Sequence, residues 1–107
     1  MTQPQNWAPD ACTLPTTERP LRGAEFDALF ASALRAVHRP APTRLRLTLD
    51  PAAEATARDL FARETECCSF FTFGFIRDDG QLRVDADVPD AYVEVLDGLA
   101  GQARAAL

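Results

Sequence analysis

The sequence predicts an α+β domain in which an N-terminal helix is followed by β-α-β-β-α, forming a small mixed three-stranded sheet with helices on one face. Three observations predict it. Residues 43–49, TRLRLTL, alternate strictly, with Leu45, Leu47 and Leu49 on one side and Arg44, Arg46 and Thr48 on the other, as a strand with one wet face requires. Leu82, Val84, Ala86 and Val88 alternate with Arg83, Asp85 and Asp87 directly after an Asp79-Gly80 turn signal, which reads as a β-hairpin. Apolar residues recur at helical spacing in three other segments.

Taken in order, residues 1–16 hold three of the eight prolines plus Asn6, Asp10 and Thr13. They are expected to form an extended, partly mobile arm, leaving 17–107 as a single domain. Residues 18–38 place Phe26, Leu29, Phe30, Ala33 and Val37 on one helical stripe, with Pro20 in the first turn and Pro40 as the stop. His38 would then sit in the last turn, where an imidazole complements the helix dipole. Asp50-Pro51 supplies an N-cap and a proline at the first helical position. That helix is carried to about Cys68, with Ala53, Ala57, Leu60 and Phe61 inward.

Residues 70–77 read as the second strand and 81–88 as the third. Pro89-Asp90 opens a last helix to about residue 105, with Tyr92, Val95, Leu96, Leu99 and Ala103 inward, while Gly98 and Gly101 weaken its middle. The strand-helix-strand crossover predicts two parallel strands, followed by the antiparallel hairpin. The outer face of such a sheet would carry Arg44, Arg46, Thr72, Ile76, Arg83, Asp85 and Asp87. Mixed charge suits solvent or a modest contact, and edge strands in so small a sheet leave room for a homodimer.

Composition narrows the function. At 107 residues the chain makes one core, and 47% hydrophobic with 25% charged residues is ordinary for a soluble globular protein. A net charge of -5 argues against a nucleic-acid partner, which needs a concentrated positive face. There is no basic, apolar leader at the N-terminus and no apolar run that would span a bilayer, so a cytoplasmic protein is expected. Three cysteines, Cys12, Cys67 and Cys68, cannot all pair within one chain, and a disulfide scaffold is not expected.

The chemistry concentrates in residues 64–75, ETECCSFFTFGF. On a helix turning about 100° per residue, Glu64 falls within the arc of Ala57, Leu60 and Phe61, where a leucine would be expected. Cys67 and Cys68 follow at i+3 and i+4 from Glu64, so one helix face gathers a carboxyl group and two thiols. The helix C-terminus and a neighbouring carboxylate both disfavour thiolates. A soft cation reverses that balance by displacing the thiol protons, and Glu64 would receive or supply a proton as the metal arrives or leaves. Adjacent cysteines do not have zinc-knuckle spacing. Mercury, trivalent arsenic or Cu(I) fits two or three sulfur ligands, and Cys12 on the arm is a natural third.

Glu64, Cys67, Cys68, Phe70 and Phe73, with Cys12-Thr13-Leu14 upstream, resemble a group of small bacterial proteins that share an E-x-x-C-C-x-F-x-x-F core and an upstream C-T-L. Related segments are similar to extensions of MerR-type heavy-metal regulators. The resemblance, running from about residue 12 to 99, implies a heavy-metal association and no particular reaction. The chain has no helix-turn-helix segment, so a regulator's DNA-binding role is not carried over.

Other readings stay open at this point. Cleavage of carbon–mercury bonds uses the same groups, thiolates to hold the metal and an acid to protonate the departing carbon. Thiol–disulfide exchange would favour a pair with Cys12 over the cramped Cys67–Cys68 ring. A ligand-free interaction module, with the cysteines as small buried hydrophobes, is the plainest alternative. The phenylalanines are expected to build core, with alternate rings screening the thiols.

Overall fold

The computed structural model describes residues 19–67 and 70–107, with side chains for 23–66 and 70–107. The elements are α1 (Arg19–Ala33), β1 (Leu34–Ala41), β2 (Arg44–Leu49), α2 (Glu54–Cys67), β3 (Thr72–Asp78), β4 (Gln81–Asp87) and α3 (Val93–Ala105). Single 3-10 turns, Pro51–Ala53 and Asp90–Tyr92, lead into α2 and α3. The expected arm, with Cys12, lies outside the described residues.

The α+β class holds, but the sheet is four-stranded and antiparallel throughout, in the order β1-β2-β4-β3. Two expectations are corrected. The first helix stops at Ala33 instead of reaching His38, and the chain passes straight into β1, whose register partners on β2 include His38↔Arg46 and Val37↔Leu47. His38 is an exposed strand residue, not a helix cap. The reason is that β1 breaks register between Leu34 and Ala36 and again between His38 and Ala41. These irregularities erase the period of two, while Ala33 and Val37 remain spaced by four, as on a helix. Pro40, which cannot donate to a ladder, is tolerated because β1 lies at the sheet edge.

The second correction concerns pairing. β2 and β3 do run parallel, but β4 inserts between them and pairs antiparallel with both, so the expected mixed sheet is replaced. Side chains select this partner. Arg44 lies opposite Asp87 and Arg46 opposite Asp85 in the β2–β4 register, joined by ion pairs of 2.7 and 2.8 Å. Such cross-strand pairs contribute up to about 1 kcal/mol each, and less where water screens them. On the other face of the same ladder Leu45 lies opposite Ala86, Leu47 opposite Val84 and Leu49 opposite Leu82, and all are fully buried.

The three helices cover that apolar face. Phe26 and Phe30 from α1, Leu60 and Phe61 from α2, and Leu96 and Leu99 from α3 join the strand residues in one core. Full burial of each such side chain is worth roughly 1.5–3 kcal/mol. Polar ties lock the helices laterally: the Gln102 amide donates to Gly23 O and Asp27 Oδ1 at 2.8 Å each, and Arg63 reaches Glu25 at 2.6 Å. The β3–β4 turn is the expected one, with Asp79 and Gly80 both at positive φ, 51° and 72°.

Two expected outcomes arise from these elements. Gly101 lies exposed within α3, and a Cβ there would meet nothing within 4 Å. Gly101→Ala should therefore stabilise the protein by about 0.5–1 kcal/mol, read as a rise in Tm of roughly 2–8 °C. Glu54, at the start of α2, accepts from Arg58 Nε at 2.8 Å and from Arg77 Nε on β3 at 2.5 Å. These hydrogen bonds hold its carboxyl below the ordinary value of 4.5. A lowered folded-state pKa contributes stability above the ordinary carboxylate range and loses it as pH falls through the depressed value. Glu54→Gln should remove that part of the acid sensitivity, flattening stability against pH below about 4.5 in urea titrations.

Candidate functional site

The site is built on the last turns of α2. Asp50 opens the segment, its carboxylate accepting from Ala52 N at 3.0 Å, with Pro51 at the first helical position. The 3-10 turn that they cap runs directly into α2 at Glu54. Ala57, Leu60 and Phe61 are buried, and Glu64, on the same arc, is only 2% exposed. It is the one charged side chain that the core takes in among the described residues. Burying a carboxyl group costs more than burying a leucine, so packing alone does not favour an acid there. Glu64 does not stand without an interaction in this position.

Cys67 is the last residue of α2, one turn beyond Glu64 on the same side of the helix backbone. Its thiol, all of Cys68, and Cys12 lie outside what is described. Among the described residues no group of three or more His, Cys, Asp or Glu side chains gathers in a way that would hold a metal ion. The last turn of α2 has no basic residue, and Glu66 beside Cys67 is exposed. Within α2 itself, no basic side chain offsets the carbonyl dipoles of the last turn, where Cys67 stands.

Beyond the cysteines the chain becomes aromatic. Phe71 is 2% exposed, and Phe71, Phe73 and Phe75 follow one another along the helix-covered side of the sheet. Phe61 meets Phe73 at 4.6 Å, Phe75 at 5.9 Å and Phe26 at 5.4 Å between ring centroids. The strand begins at Thr72 instead of residue 70, and Phe70 turns away to stack on Tyr92 at 4.1 Å and 4°. Helical phase says only that Tyr92 points inward. Its stack with Phe70 joins the 3-10 turn before α3 to the segment after the cysteines, a long-range contact without a local sequence signal. A groove of about 660 Å³ opens between α2 and β3, lined by Phe61, Thr65, Phe71, Phe73 and Phe75, with Arg58 over the Phe75 ring at 4.6 Å.

The arrangement defines a class: an antiparallel α+β domain that buries an ionisable side chain one helical turn before a vicinal cysteine pair in the sequence, with a phenylalanine-rich segment after it. Comparisons with protein-family models, with curated proteins and with solved structures gave no match.

Proposed function

We propose that this protein binds a soft metal or metalloid, mercury, trivalent arsenic or Cu(I), through Cys67 and Cys68 with Cys12 as a further ligand, for sequestration or transfer in the cytoplasm. The observation that supports this reading most is Glu64, buried at 2% exposure one turn before Cys67. A carboxyl group at a core position has a chemical use if it exchanges protons with thiols that are stripped on metal binding. Carbonyl dipoles at a helix C-terminus favour the protonated thiol, and a thiophilic cation would supply the charge that converts the thiols to thiolates. Paired thiolates favour soft ions over hard Mg(II), and adjacent cysteines lack the ligand spacing of a tetrahedral Zn(II) site.

No helix among the described residues is long and apolar enough to cross a membrane. Native mass spectrometry of the reduced full chain against Hg(II), As(III), Cu(I), Zn(II) and Mg(II) tests the proposal. One Hg(II) or As(III) per chain, retained against millimolar monothiol, is the expected result. Uptake of none of the soft ions, or equal uptake of Zn(II), overturns it.

A further inference from the structure

We propose that the open face of the sheet carries an oxyanion site centred on Arg83, for a small molecule bearing a carboxylate or phosphate group. Three arginines project from this face on β2 and β4. Arg44 is paired with Asp87 at 2.7 Å, and Arg46 with Asp85 through two bonds of 2.8 and 3.3 Å. The third breaks the pattern. Arg83 stands opposite Thr48 on one side and Ile76 on the other, neither of which carries charge. Among the described residues its guanidinium has no ion pair, and its Nε is closed off from solvent without a hydrogen-bond partner. A guanidinium without an anionic partner on an otherwise paired face has donors to spare, and a bound oxyanion would take them up in charge-assisted hydrogen bonds.

The surroundings suit that ligand. A recess of about 530 Å³ lies over Arg83, bounded by His38, Arg46, Thr48, Gln81 and by Arg39, which unlike Arg83 is ion-paired, to Asp97, with Asp78 and Asp79 at the turn end. Its size falls in the range of small-molecule pockets. Gln81 Oε1 already accepts from Arg35 Nη1 at 2.6 Å, so the amide presents its NH₂ group as a donor. The Thr48 hydroxyl and the His38 ring add donor capacity beside the Arg83 fork. Asp78 and Asp79 repel an anion at their end, which confines it to the side of Thr48 and His38. Among the described arginines of the recess only Arg83 has no ion pair, which also limits the ligand: a polyanion such as nucleic acid needs an array of such cations. The net charge of -5 does not oppose the site, because distant charges are screened within about 8–10 Å.

Amide chemical-shift titrations of the full chain with inorganic phosphate and with succinate, at ionic strength held constant with chloride, test this. Saturable shifts at His38, Thr48 and Arg83 are expected, with at least a tenfold loss of affinity in Arg83→Gln and an intermediate loss in Arg83→Lys. Arg44→Gln, outside the recess, should bind as the parent does. Absence of saturation with both anions, an equal response to chloride alone, or unchanged binding in a folded Arg83→Gln overturns the proposal. So does a response at these amides that follows protein concentration and a doubled sedimentation mass, since a second copy's carboxylates would then be the occupant.

Discussion

Replacing Phe61 by alanine is expected to destabilise the protein by about 3–5 kcal/mol, the cost of a large cavity in a packed aromatic core. Phe61 is fully buried and its ring touches one aromatic from α1 and two from β3, so no single neighbour can close the space. With a total stability of about 5–15 kcal/mol to draw on, Phe61→Ala should be at or near the edge of folding at 37 °C. Urea denaturation followed by far-UV circular dichroism measures the shift in midpoint. Phe61→Leu, which keeps most of the volume, should lose much less. A Phe61→Ala variant within about 1 kcal/mol of the parent would show that the α2–β3 aromatic junction is not closely packed.

Replacing both Cys67 and Cys68 by serine should reduce Hg(II) affinity by at least about 1,000-fold, equivalent to roughly 4 kcal/mol, while the melting temperature of the metal-free protein changes little. Serine keeps the shape and removes the soft ligand, so binding and folding separate cleanly in this variant. Competition with a dithiol chelator gives the affinity. Glu64→Gln supplies the complementary test: it should keep the metal stoichiometry but alter the number of protons released per metal, measured calorimetrically in buffers of different ionisation enthalpy. If the serine variant binds as the parent does, the cysteine pair is not the site. If Glu64→Gln leaves proton release unchanged, the buried acid has no part in the exchange.

The segments with clean periodicity were readable from the sequence. β2, α2, the β3–β4 hairpin and α3 each carry an uninterrupted period, a turn dipeptide or a capping pair, and the structure places them within a few residues of expectation. The inward direction of Glu64 followed from helical phase alone, because α2 has no interruption between its start and that position. β1 was hidden because its two register breaks destroyed the alternation that announces a strand. The strand order was missed for another reason. Local pattern says which residues are strands, not which strands are neighbours, and the handedness rule for crossovers does not say whether the two strands they join are adjacent. A signal was present in the matching of Arg44 and Arg46 with Asp85 and Asp87, which read as a solvated face when they were in fact the address of one strand on another.

The order β1-β2-β4-β3 also bears on how the chain reaches this state. Each outer pair, β1 with β2 and β3 with β4, is a hairpin whose partners are close in sequence, whereas the central ladder joins Arg44 to Asp87 across 43 residues. Closing that long loop is costly before any contact rewards it. The two hairpins are thus expected to form early and independently, and the slow event is their docking along the seam where α2 must already have folded back.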